Sequence, residues 1–361
     1  MHAEAKYYAA CSAIPALHSV RFFRLMSLCS SVENVWNASI SELCEAGCER
    51  ETAEMVVAKR KAIDPDRFLS AILSQGVNVV TCEDVEYPLL LRQIPSRPYV
   101  LFYRGTLPPP TMQCIGIVGT RKVTSYGAQV SQQLSRDLSR AGFCIVSGLA
   151  RGIDMLSHTA CLEVDGKTIA VLGTGVDEQS VYPRMHRGLA QRCIEQGGCV
   201  LSEYPPGTTV QAYHFPARNR IISGLSRGII VVEAPQKSGA LITARHALDQ
   251  NRDVFAVPGS IYNPMSEGPN GLIRQGAIPV TQAADVCEHY EMEEYSGQQR
   301  IIMCENDTER MLLRMISHEP HTIDELSRMC NLDTKNAAST LTIMEMKRMV
   351  RNIGAMRYVK M

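Results

Sequence analysis

Between Cys114 and Val257 the chain repeats one pattern, an apolar run of three to five residues followed by a segment of helix length. The runs are Cys114–Val118, Phe143–Val146, Thr168–Leu172, Cys199–Leu201, Gly228–Val232 and Asp253–Val257. A strand with one wet face alternates apolar and polar residues, whereas these runs are almost continuously apolar, the signature of strands covered on both faces. Helix-length connections between such strands predict a mainly parallel, doubly wound α/β sheet, an extended Rossmann-type fold. That constraint reaches function, because ligands of open parallel sheets bind beyond the carboxyl ends of the strands.

The flanks follow other patterns. Residues 1–76 read as a small all-helical domain, with Asp64-Pro65 as a helix start and Ser39–Gly47 as a short helix ending at glycine. The latter is the kind of hairpin found in helix-hairpin-helix DNA modules and equally in plain helical bundles. Residues 77–110 read as a connecting segment into a core at 111–290, followed by an acidic linker at 291–306. Residues 307–361 have the layout of a winged helix: three helical segments near 308–317, 322–330 and 334–347, then a hairpin-like Met349–Val359 around Gly354. Asp333 is placed to cap the third helix, whose cations are few (Lys335, Lys347, Arg348), so contact with DNA and contact with protein both stay open.

The 361 residues carry 37 Lys/Arg against 37 Asp/Glu, so any polyanion site must be a local patch. No apolar run approaches the roughly 18 residues of a membrane span, and no secretory leader is evident, so a cytoplasmic location is expected. The thirteen cysteines include no C-x-x-C pair, and Cys44 and Cys48 lack the further ligands of a zinc site; they read as reduced, mostly buried thiols, with no metal expected.

The strand-end loops are rich in glycine, hydroxyl groups and arginine. Gly119-Thr120-Arg121-Lys122 follows the first strand, but its spacing is not G-x-G-x-x-G and no acidic residue ends the second strand, so no nicotinamide cofactor is expected. Ser147-Gly148-Leu149-Ala150-Arg151-Gly152 follows the second, with Asp154 as a cap and His158 on the next helix as either a core histidine or a general base. The loop after the third holds Tyr182, Arg184, His186 and Arg187, where cations beside a ring suit a splayed single strand or an ordinary surface loop. Ser238 and Gly239 open a helix after the fifth, offering free N–H groups.

Phe215-Pro216-Ala217-Arg218-Asn219-Arg220 then places two arginines where a helix is expected to begin after loop, an arrangement that favours phosphate. The alternative is an arginine pair tying down a loop through Glu203 or Glu233. No matched acid/base pair or activated nucleophile accompanies these loops, so the floor reads as built to hold phosphates, not to cleave.

Taken together, these loops resemble the DprA/Smf family, DNA-processing protein A, over about residues 84–285. The matching residues are Gly116–Arg121 with Tyr126-Gly127, Ser147–Asp154 with His158, Gly173-Thr174-Gly175 to Tyr182-Pro183, Leu201–Pro205, Phe215–Ser226, Val231–Ala234, Ser238–Ala244 and Phe255–Ser260. The resemblance implies a non-catalytic protein that binds single-stranded DNA, dimerises and helps load the RecA recombinase during natural transformation. It implies phosphate-binding roles for Gly119, Arg121, Ser147, Gly148, Arg151, Arg218, Asn219, Arg220, Ser238 and Gly239, with Tyr182, Arg184, His186, Arg187 and Phe215 flanking the strand. Leu272 and Ile273 fall near the family's dimer contact, although Met265–Asn270 before them departs from its usual glycine, Cys or Thr, and Asn.

Two other functions compete. Nucleotide phosphoribohydrolases use a related sheet, but the stretch near Ser238-Gly239 lacks their P-G-G-x-G-T-x-x-E loop. A protein-interaction scaffold working through the winged helix is the other.

Overall fold

The computed structural model describes residues 4–292, 306–316, 320–347, 349–354 and 356–360. The chain forms two compact units divided between residues 295 and 296. Of the segment expected as an acidic linker, residues 293–305 lie outside the described residues, as does Arg348.

The first unit opens with six helices: α1 (Ala5–Ser12), α2 (Ser19–Leu28), α3 (Val32–Asn37), α4 (Ile40–Glu45), α5 (Arg50–Arg60) and α6 (Pro65–Ser74). Local chemistry sets their ends. The Asp64 carboxylate accepts from the Arg67 N–H with Pro65 at the first helical position, and Ser39 with Glu42 forms a capping box on α4. After α4, Gly47 takes φ +89°, a conformation that favours glycine.

These helices share an apolar core with the sheet. The Phe22 ring stacks on Tyr99 at 3.8 Å, and the Tyr99 hydroxyl donates to the Leu17 carbonyl at 2.9 Å. Both rings are buried, a contribution of about 1.5–3 kcal/mol each by transfer arguments.

The sheet begins with β1 (Asn78–Thr81), α7 (Leu89–Arg92) and β2 (Val100–Gly105), so the expected connecting segment supplies two of its strands. Then come β3 (Cys114–Val118), α8 (Ser125–Arg140), β4 (Cys144–Ser147), α9 (Ile153–Leu162), β5 (Thr168–Val171), α10 (Arg187–Glu195) and β6 (Cys199–Ser202). It continues with α11 (His214–Leu225), β7 (Gly228–Val231), α12 (Gly239–Asp249), β8 (Asp253–Ala256), α13 (Glu267–Arg274), β9 (Ile278–Pro279) and α14 (Ala283–His289). The order is β1-β2-β6-β5-β4-β3-β7-β8-β9. Strands β3 to β9 pair in parallel, and β2 joins β6 antiparallel (Phe102 opposite Ser202). Every residue of β3, β4, β5, β6 and β7 is buried, as the continuous apolar runs require.

The connections from β3 run outward through β4 and β5 to β6, then return to β7 on the other side of β3. Adjacent loops therefore diverge above β3 and open a crevice at the carboxyl ends. All cysteines among the described residues are free and none is exposed, and burial pushes the Cys11 thiol up to about 12. No helix among the described residues is long and apolar enough to cross a membrane.

The second unit holds α15 (Asp307–Met315), β10 (His321–Thr322), α16 (Ile323–Cys330), α17 (Thr334–Met346), β11 (Val350–Asn352) and β12 (Arg357–Lys360), with sheet order β10-β12-β11. Three helices and a hairpin around a core of Leu312, Leu326, Leu341 and Met344 make a winged helix, as expected. Asp333 caps α17 by accepting from the Lys335 N–H at 3.2 Å.

Candidate nucleic-acid interface

The loops at the ends of β5, β4, β3 and β7 meet at the crevice. The Ile153 N–H donates to the Thr120 carbonyl at 3.2 Å, and Gly152 takes φ +81° where a Cβ would stand 2.3 Å from that same oxygen. From α11, Asn219 Nδ2 donates to the Gly239 carbonyl at 3.2 Å, tying the starts of two helices together. The Phe215 ring lies between two partners: the Arg121 guanidinium 5.8 Å from its centroid and the Tyr182 ring at 5.7 Å. The Gly119, Gly148 and Gly152 positions admit no larger residue without displacement, so their glycines serve close packing as well as any ligand.

Two of the backbone donors expected to receive phosphate are taken by the protein itself. The Asp154 carboxylate accepts from the N–H groups of Gly148 (3.2 Å) and Ala150 (3.3 Å), so these two donors of the 147–151 loop are occupied by the protein. Ser147 is fully buried, and its hydroxyl donates to the Ile117 carbonyl at 2.6 Å. Glu233, also buried, accepts from the Thr124 N–H at 3.0 Å at the start of α8. Ser238 caps α12 by accepting from the Ala240 N–H at 3.3 Å, leaving the exposed Gly239 as the open position there. Carboxylates thus sit where helix starts attract anions.

Several expected side-chain ligands are also committed elsewhere. Helix α11 begins at His214, with Pro216 inside its first turn where no N–H is needed, so Arg218 and Arg220 lie one turn in. Arg218 is 4 % exposed, donates to the Val171 carbonyl and packs beneath Gly148. Burial pulls its guanidinium down to about 10, opposed by the charge of Asp154. Arg220 makes a two-pronged ion pair with Glu203 at 2.6 and 2.9 Å. The loop-tying alternative is the one this geometry provides for Arg220, and Arg218 supports the loop from below. His186 is buried with Nδ1 on the Leu149 carbonyl at 2.8 Å, and the half-buried Arg187 donates to the Gln179 carbonyl. His158 is a core group: Nδ1 meets the Thr168 hydroxyl at 2.7 Å, and burial, with the Arg218 and His186 charges, pushes it down to about 3.

What faces outward is a set of side-chain cations. Arg121, Lys122, Arg151, Arg184 and Lys237 are exposed, and none has a hydrogen bond or ion pair from its side chain among the described residues. Exposed Tyr182 and half-buried Phe215 stand among them. Lys122 adjoins Arg121, and Lys237 immediately precedes Ser238; a lone lysine in a loop carries no local mark that separates a ligand from a solvated charge. Tyr213, 67 % exposed beside His214, carried no motif to mark it.

Leu272 and Ile273 are half-buried on α13, Leu272 against the core. In the departing segment before them, the Asn270 side chain clasps Gly259 through its N–H (3.2 Å) and carbonyl (2.9 Å), and Gly268 donates to the Ala234 carbonyl. These residues therefore lock the β8 end to the β7 end.

Residues 78–291 match the model of DNA recombination-mediator protein A, and residues 304–354 that of the DprA winged helix domain. The Smf protein of Synechocystis sp. is 42% identical over 281 residues, 76% of this chain and 70% of its own. The X-ray structure of DNA processing protein A (DprA) from Streptococcus pneumoniae superposes with a TM-score of 0.66 at 35% identity, covering 80% of this chain and 97% of that one. A DNA processing protein A structure from Helicobacter pylori, described for its unique single-stranded DNA binding mode, covers 60% of this chain and 95% of its own, with a TM-score of 0.52 at 27% identity.

Proposed function

Because the chain belongs to the DNA recombination-mediator protein A family, we propose that it binds single-stranded DNA along the carboxyl-end rim of its sheet and passes the strand to a RecA recombinase without chemistry of its own. The observation that carries this reading is the set of unpaired cations, Arg121, Lys122, Arg151, Arg184 and Lys237, distributed over the ends of neighbouring strands beside Tyr182 and Phe215. Charge that tracks a phosphate backbone, with rings for splayed bases, suits a flexible single strand. The relative from Helicobacter pylori, a single-stranded DNA binder by description, supports the same assignment. In support of a non-catalytic role, the carboxylates at the floor are each held by protein donors: Asp154, in the first turn of α9 and not at its cap, by the Gly148 and Ala150 N–H groups, Glu233 by the Thr124 N–H, and Glu203 by Arg220.

Action as a homodimer is part of the proposal. The α13 region, with Leu272 and Ile273, adjoins exposed Ile261 (80 %) and Tyr262 (90 %), apolar side chains suited to a second copy.

Fluorescence anisotropy with oligo-dT, a matching duplex and a salt titration tests the binding. Length-dependent preference for the single strand, with affinity falling steeply as salt rises, is expected. Equal or tighter duplex binding overturns the reading.

A further inference from the structure

The start of α11 carries three consecutive rings, Tyr213, His214 and Phe215, and they point to different places. Phe215 joins Tyr182 and Arg121 at the cationic rim. His214 is buried: its Nδ1 is 3.1 Å from the Gly173 carbonyl, which can only accept, so Nδ1 carries the proton. The ring stacks on Tyr204 at 3.9 Å with 25° between the planes. Tyr204 is itself held at the end of β6, its N–H donating to the Ser202 hydroxyl at 3.0 Å, and its neighbour Glu203 is gripped by Arg220. Tyr213 meets the His214 ring edge-on, 4.6 Å away at 75°, and remains 67 % exposed. Gly173 lets the two groups meet, since a Cβ there would lie 3.3 Å from both the His214 backbone and the Phe215 ring.

A rigidly backed ring left in water is apolar area the fold has not covered. The approach to it, Pro205–Tyr213, contains no cation, and its Gly207 N–H donates to the Asp177 carboxylate at 2.8 Å, so this loop offers a crossing strand no phosphate-pairing charge of its own. We propose that Tyr213, backed by His214 and Tyr204, is a second stacking platform that holds a nucleobase of the bound strand beside the cation-free Pro205–Tyr213 loop. The inference rests on the single-strand reading above. It adds that part of the affinity comes from bases on this side and is independent of salt. Tyrosine stacks on any base, so the platform accepts all four.

The experiment compares oligo-dT with an oligomer of the same length made of abasic deoxyribose phosphate, bound to the full chain and to its Tyr213→Ala, Tyr213→Trp and Arg121→Ala variants over a range of salt. Tyr213→Ala is expected to weaken oligo-dT binding roughly five- to a hundredfold, the range of one base–aromatic stack, with the salt slope unchanged. The same change is expected to leave abasic binding within about twofold, and Tyr213→Trp to retain oligo-dT binding. If Tyr213→Ala binds oligo-dT like the unaltered chain while Arg121→Ala is weakened, the platform is overturned and the single-strand reading stands. Equal loss on oligo-dT and abasic oligomer also overturns it, because the ring then serves the backbone or the fold. If the unaltered chain shows no preference for single strands, both fall together.

Discussion

Arg218 lies directly beneath Gly148: a Cβ added to the glycine would stand 2.1–2.3 Å from three atoms of the guanidinium. The arginine cannot readily yield, being buried and bonded to the Val171 carbonyl. The Gly148 loop is therefore supported from below by a charge, and its outward N–H groups are closed from the side by Asp154.

Gly148→Ala is expected to cost about 2 kcal/mol of stability, the typical penalty of overpacking a filled site, and to weaken oligo-dT binding by displacing Arg151. Gly188→Ala, in α10 where nothing lies within 4 Å of the new methyl, is the control and should be neutral or stabilising. Urea unfolding and anisotropy on both variants check the pair.

Asp154→Ala should free the loop N–H groups of Gly148 and Ala150 and remove the carboxylate whose charge opposes the burial penalty on Arg218. Losing charge-assisted hydrogen bonds from a buried carboxylate costs about 1.5–3 kcal/mol, so a fall in unfolding free energy is expected despite the freed donors. An unchanged midpoint would show that Arg218 does not depend on this carboxylate.

Arg220 and Arg121 should separate cleanly. Arg220→Ala breaks the ion pair with Glu203, whose two side chains are 13 % and 17 % exposed, and should lower stability by about 1–3 kcal/mol while leaving the salt slope of DNA binding as it was. Arg121→Ala removes an exposed cation and should do the reverse, reducing the slope of log affinity against log salt by about 0.7 with little change in unfolding.

His158 predicts acid lability. Its ring is pushed down to about 3 in the folded chain against an ordinary 6.5, chiefly by burial, so the unfolded state binds its proton first as pH falls. The stabilisation is complete above pH 6.5 and is lost progressively toward pH 3, at up to about 1.4 kcal/mol per pH unit. His158→Asn can keep a donor toward Thr168 but does not titrate, so unfolding free energies measured between pH 7 and 4.5 should fall less steeply in the variant. Parallel slopes would place the acid sensitivity in other groups.

The α/β core was legible because its strands are buried on both faces, which leaves a local mark in the chain: Cys114–Val118 and Gly228–Val232 are apolar at nearly every position. Helix starts at Asp64-Pro65 and Asp333 were legible for a similar reason, since a cap acts over two or three residues. The antiparallel addition of β2 to β6 left no such mark, because Phe102 meets Ser202 a hundred positions away.

At the site, the sequence determined which loops assemble and what they carry: arginines, glycines, hydroxyls and rings at successive strand ends. Which of those groups remain available was decided only by the tertiary structure. Arg218 finds the Val171 carbonyl 47 positions away and Arg220 finds Glu203 17 positions away, whereas Arg121, Arg151 and Arg184 find no carboxylate among the described residues. An arginine reads the same in one dimension whether it will be buried or free. Its role depends on the acceptors that folding brings within about 3 Å, and on whether water is excluded around it.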